Sequence, residues 1–99
     1  MEKLFVYGTL RESSTQKKVI GRICTTKKDI LEGYTVKKVV IEKKYYRAIT
    51  KKKSTKVKGL VIAVTKKELL IIDKYETGKY YRKKVILKSG IHAWVYTKR

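Results

Sequence analysis

A chain of 99 residues, 42% of them hydrophobic, is long enough for one core and too short for two, so a single globular domain spanning 1–99 is expected. No apolar run approaches the ~18 residues of a membrane span, the opening MEKLFVYG lacks a signal-peptide cleavage pattern, and a single cysteine with a single histidine leaves no intrachain disulfide and no zinc-type ligand set; a cytoplasmic protein without a metal is expected. The formal charge of +19 argues for a polyanionic partner such as nucleic acid, but its 22 Lys against five Arg, spread over the chain with no basic tail, read first as a solvated surface.

In chain order, KLFVY is a strand apolar on both faces and therefore central in its sheet, and it runs abruptly into Gly8-Thr9-Leu10-Arg11. RESSTQKKVIG is polar and predicts a loop or one helical turn. Cys24 has no motif around it and reads as a packed, inert thiol. ILEGYTVKKVVI holds β-branched residues on both sides of Gly33, which predicts extended chain with a bend or bulge. YYRAI predicts a short strand, KKKSTK a polar turn, and VKGLVIAV a further strand.

TKKELLIIDKYE, residues 65–76, is the one segment with clear helical periodicity; Thr65 and Glu68 have the spacing of a capping box. YYRKKVIL and IHAWVYT flank KSG, as the strands of a hairpin with a short glycine-containing connection do. Five to seven strands with one main helix give an α+β fold: a curled mixed sheet or small β-barrel with the helix over one face or open end.

Helical phase carries the first sign of chemistry. At about 100° per residue, Glu76 falls between Leu69 and Ile72 in projection, placing an acid on the apolar stripe. Burial penalises the charged form and raises a carboxyl pKa, which makes Glu76 a candidate general acid or base. The alternative is a final helical turn that loses phase, leaving Glu76 in solvent beside Lys79 or Arg82.

Four segments in order, YGTLR, VKGLVIAV, IIDKYETGKYYRKKV and AWVYT, together resemble the γ-glutamylcyclotransferase-like (AIG2-like) family. They match its strand ending in Tyr-Gly-Thr/Ser-Leu, its Val-x-Gly strand, its Asp-x-x-Glu followed by Tyr-x-Arg, and its terminal Ala-x-Val-Tyr strand. The resemblance implies a small mixed β-barrel flanked by helices with a cavity at its mouth. It also implies cofactor-free cleavage of γ-glutamyl amides, in which the substrate's α-amine attacks its own γ-carbonyl to give 5-oxoproline and a free amine.

Under that resemblance Glu76 is the catalytic acid and base, and Tyr7, Gly8, Thr9 and Leu10 form the substrate-binding loop. Tyr80 and Tyr96 line the pocket and donate hydrogen bonds to substrate, while Arg82 pairs with Asp73. Two departures stand on the leaving-group side: Arg47 where the family often has proline, and Thr77 after the glutamate where it often has glycine. The competing reading is a Lys-rich binding module of the same fold that holds nucleic acid or another polyanion without catalysis.

Overall fold

A computed structural model describes residues 1–76 and 78–98. The first strand, β1 (Glu2–Val6), leads through a 3-10 turn (Thr9–Arg11) into α1 (Ser13–Ile20). Then come β2 (Thr26–Ile41), β3 (Lys44–Val64), α2 (Lys66–Glu76), β4 (Tyr80–Ile86) and β5 (His92–Lys98). The sheet order is β2-β3-β1-β5-β4, antiparallel throughout except for β1 beside β5. The apolar first strand is central, as its composition requires.

Alternation along β1 divides the apolar residues into two cores. Leu4 and Val6 join Ile62 and Val64 of β3 and are covered by Leu69 and Ile72 of α2. Phe5 faces the other way, with Leu31, Val61 and Val95. The β4–β5 hairpin turns through Leu87–Ile91 with Gly90 at φ +91°, where the Gly90 N–H donates to the Leu87 carbonyl. Its tip reaches the opposite edge of the sheet: Lys88 N–H donates to the Ile30 carbonyl at 2.8 Å, and the Ser89 hydroxyl donates to Asp29 on β2. The sheet is thereby curled into a half-barrel with two helices.

The second helix is a correction to the sequence reading. RESSTQKKVIG contains eight helical residues, which place Gln16, Val19 and Ile20 on one face and end at Gly21 in the left-handed region (φ +80°). That face is anchored by a buried amide rather than an apolar stripe.

The stretch from YYRAI to VKGLVIAV is likewise one strand of 21 residues. KKKSTK is an enlarged bulge within it, not a turn between two strands. The register passes from Tyr34↔Lys51 to Glu32↔Lys56, so three extra residues are accommodated on β3 opposite Gly33 (φ +80°). The Thr55 hydroxyl closes the bulge against the carbonyls of Lys52 (2.7 Å) and Tyr34 (2.9 Å).

Beyond the bulge β2 and β3 continue as a two-stranded ribbon that gathers charge. Residues 34–51 of that ribbon contain six Lys or Arg and one acid, Glu42. Among the described residues no helix is long and apolar enough to cross a membrane.

Candidate active site

A cavity of about 890 Å³ opens where the end of β1, the ribbon, the last turn of α2 and the start of β4 meet. Tyr7, Gly8, Thr9, Leu10, Glu76, Tyr80 and Tyr96 all line it. Residues 69 positions apart in sequence, Tyr7 and Glu76, thus reach one space because β1 is central and α2 crosses its helix-side face.

Glu76 is the last residue of α2 and is partly buried. The capping box sets the start of that helix: Glu68 N–H donates to Thr65 Oγ1 at 3.0 Å, and Thr65 N–H donates to Glu68 Oε1 at 2.9 Å. Leu69 and Ile72 seat the same face that carries Glu76 into the cavity. Burial raises its carboxyl to about 7, against an opposing pull from Lys79.

Neither proposed solvent partner captures Glu76. Arg82 Nε donates to Asp73 Oδ1 at 2.8 Å, and Lys79 Nζ donates to the Tyr46 hydroxyl at 2.8 Å. Among the described residues the Glu76 carboxyl has no hydrogen-bond partner. Thr77, the second departure from the family pattern, lies outside the described residues.

On the facing wall, the loop after β1 is shaped by the 3-10 turn. Arg11 N–H and Glu12 N–H donate to the carbonyls of Gly8 and Thr9, and Arg11 Nε adds a second bond to the Gly8 carbonyl at 3.0 Å. The backbone N–H groups of Gly8, Thr9 and Leu10 have no acceptor among the described residues, as the first donors of a helical turn lack one within it. A Cβ on Gly8 would meet nothing within 4 Å, so the glycine leaves open space in front of these donors.

The tyrosines do something other than expected. Tyr80 donates its phenolic proton to the Arg47 carbonyl at 2.6 Å, and Tyr96 donates to Asp73 Oδ1 at 2.6 Å. Both protons are committed within the protein, so the two rings offer a substrate surface and acceptor oxygens rather than donors. Burial, reinforced by the charge of Glu76, raises Tyr80 to about 12; burial and the bond to Asp73 raise Tyr96 further. The same influences of burial, neighbouring Tyr80 and Glu76 keep Tyr7 neutral.

Asp73 therefore receives both Arg82 and Tyr96. Burial works against its charge, but these two donors outweigh it and hold the carboxyl below its ordinary range. The Asp73–Arg82 pair expected from the sequence is present, and Arg82 also lies 4.2 Å from the centre of the Trp94 ring. Cys24 is buried, and burial raises its thiol, consistent with a packing role; His92 is exposed at the start of β5, outside the cavity.

Sequence reasoning missed Gln16 and Tyr46, and named Lys79 only as a solvent-side partner of Glu76. Gln16, 1% exposed, donates to the Leu10 carbonyl at 2.9 Å and accepts from Cys24 N–H at 2.8 Å, so one amide holds the 7–10 loop against the following chain. Its spacing to Val19 and Ile20 was the available signal. Lys79 stands 4.5 Å over the Tyr46 ring as well as bonding its hydroxyl. Among the described residues no three His, Cys, Asp or Glu side chains group in a way able to hold a metal ion.

Comparison with known proteins bears on the family and the fold. The family of gamma-glutamyl cyclotransferase, AIG2-like, matches over residues 4–99. An Arabidopsis thaliana protein solved in solution is 26% identical, with a TM-score of 0.81 over 98% of this chain and 61% of its own. A Pyrococcus horikoshii protein is 27% identical, with a TM-score of 0.72 over 99% of this chain and 78% of its own. A solved gamma-glutamyl cyclotransferase has a TM-score of 0.79 over 99% of this chain and 66% of its own, and at 16% identity that likeness speaks for the fold alone. This chain therefore spans less than two thirds of the length of the Arabidopsis protein. No curated protein sequence matches it. With nearly its whole length matched and the fold shared, the chain belongs to the gamma-glutamyl cyclotransferase, AIG2-like family.

Proposed function

We propose that this chain is a γ-glutamyl amide cyclotransferase that uses Glu76 as its acid and base. The observation that carries the reading is a partly buried carboxyl, raised to about 7 and without a hydrogen-bond partner among the described residues, in one cavity with a loop of unpartnered backbone donors. Family membership supports it.

The substrate's α-carboxylate lies against the N–H groups of Gly8, Thr9 and Leu10, whose partial positive charges suit an anion. Tyr7, Tyr80 and Tyr96 wall the folded γ-glutamyl chain so that its amine faces its own γ-carbonyl. That positioning replaces an encounter between two molecules and is worth as much as ~7–11 kcal/mol in well-oriented model reactions.

Glu76 then moves two protons in turn. Its carboxylate takes a proton from the α-ammonium, and the freed nitrogen pair forms a bond to the γ-carbonyl carbon. The protonated Glu76 gives that proton to the departing nitrogen as the original amide C–N bond breaks. The ring nitrogen, still carrying one proton too many after attack, gives it to the Glu76 carboxylate, which passes it to the released amine; the products are 5-oxoproline and an ammonium, and Glu76 returns to its starting state. A pKa near neutrality serves both transfers.

The test is incubation with a panel of γ-glutamyl amino acids and γ-glutamyl amines, with 5-oxoproline measured directly. Product from the wild type and none above background from Glu76→Gln is the expected result. Equal product from both proteins removes Glu76 from the chemistry.

A further inference from the structure

Four cations, Arg11, Lys38, Arg47 and Lys79, line the cavity that holds Glu76, whereas its acids are Glu12 and Glu76 itself. Among the described residues none of these cations forms an ion pair. Arg11 bonds the Gly8 carbonyl, Lys79 rests on Tyr46, and Lys38 lies 5.1 Å over the Tyr45 ring. Lys38 and Arg47 also stand directly opposite each other across the ribbon. A like-charged cross-strand pair is destabilising unless something between or above it carries the opposite charge.

Size points the same way. The cavity's volume of about 890 Å³ is suited to a drug-sized ligand, far larger than a γ-glutamyl group. With the substrate's α-carboxylate on the 8–10 loop, the leaving group is left the rest of a cavity that the ribbon residues Lys38, Tyr45, Tyr46 and Arg47 also line. The Lys79 charge reaches Glu76, the group that must protonate the departing nitrogen. Lys79, Lys38 and Arg47 thus line the same cavity as the acid that serves the leaving amine.

We propose that the ribbon side of the cavity is a leaving-group subsite for a polyanionic amine, in which Lys79, Lys38 and Arg47 receive two or more carboxylates or phosphates. This rests on the cyclotransferase reading and adds the class of amine released. Arg47, at the position where the family often has proline, supplies a planar donor fork suited to carboxylate or phosphate.

Binding and turnover are measured separately so that the two ideas fail separately. Calorimetry on Glu76→Gln compares γ-glutamyl-Glu-Glu with γ-glutamyl-Gln-Gln amide, and γ-glutamyl-phosphoserine amide with γ-glutamyl-serine amide. The anionic member of at least one pair binds about tenfold tighter at low salt, and the advantage shrinks severalfold at about 0.5 M NaCl. The pair with the larger ratio identifies carboxylate or phosphate as the anion. Adding Lys38→Gln and Arg47→Gln reduces the advantage to less than about threefold. The same loss of charge at Lys28 and Lys58, which line a different cavity, keeps it. Equal affinities within both pairs at low salt, or an advantage that survives Lys38→Gln with Arg47→Gln, overturns the subsite. Failure of the wild type to release 5-oxoproline from any of the four peptides instead overturns the reaction.

Discussion

The Tyr7 hydroxyl donates to the Tyr96 carbonyl at 2.8 Å, fastening the first residue of the 7–10 loop to β5, the strand that flanks β1. Both residues are buried, so this bond is shielded from water. Tyr7→Phe removes it while keeping the ring, at an expected cost of about 0.5–1.5 kcal/mol, read as a lower urea midpoint at unchanged m-value. If the loop holds the substrate's carboxylate, KM rises in the same variant.

Glu76 predicts opposite effects on activity and stability. Its carboxyl ionises near 4.5 when unfolded and near 7 when folded. Between those values the folded protein holds a proton that the unfolded chain has lost. The stability contributed by the neutral group is therefore fully present below about 4.5 and lost as pH rises through about 7. Glu76→Gln cannot ionise, so at pH well above 7 it is more stable than the wild type by about 1–3 kcal/mol, and the difference vanishes in acid. Urea unfolding at the two pH extremes checks this. In the wild type kcat/KM rises with pH about a midpoint near 7, and Lys79→Met moves that midpoint upward by removing the opposing charge.

The start of α2 offers an independent stability test. Arg22 reaches both oxygens of Glu68, at 2.6 and 2.7 Å, while Glu68 also closes the capping box with Thr65. The bond from Arg22 comes first among the causes that hold Glu68 at about 2, so its contribution is present above the unfolded value of 4.5 and is lost as pH falls toward 2. Arg22 is more than a third exposed, so solvent screening weakens its attraction for Glu68. Glu68→Ala is expected to cost about 1–2 kcal/mol near neutral pH, mostly through the lost cap.

Two glycines separate folding from function. A Cβ at Gly59 would lie 2.5 Å from the Val6 carbonyl oxygen and 2.7 Å from Phe5 Cζ, so Gly59→Ala must push β3 away from β1. The expected loss is about 1–3 kcal/mol or more, as for an overpacked core. At Gly8 a Cβ meets open space. Gly8→Ala is expected to keep the melting temperature within a few degrees and to weaken substrate binding, because the methyl projects into the space before the loop donors.

What the sequence disclosed depended on whether a feature was local. The Thr65–Glu68 box, the bend at Gly33 and the Gly90 hairpin are written in neighbouring residues and form as expected. The helical phase that put Glu76 on the apolar stripe of α2 also agrees with its place in the cavity. Features settled by distant partners were not legible. Ser13–Ile20 is a helix whose buried anchor is Gln16, and that amide is satisfied by Leu10 and Cys24, so apolar patterning misses it. KKKSTK resembles a turn because its extra residues are accommodated only by pairing with β2. Tyr80 and Tyr96 were legible as cavity residues, but their commitment to Arg47 and Asp73 required the folded arrangement.

In the proposed reaction Glu76 moves the protons of an intramolecular cyclisation. The most direct test is 5-oxoproline release from a γ-glutamyl peptide panel at pH 8 by the wild type and by Glu76→Gln, both verified as folded by urea unfolding. Product from the wild type and a loss of at least about a hundredfold in the variant are expected, the lower range for removing a general acid–base group. Comparable rates from the two proteins, or no product from the wild type with any peptide, would contradict the proposal.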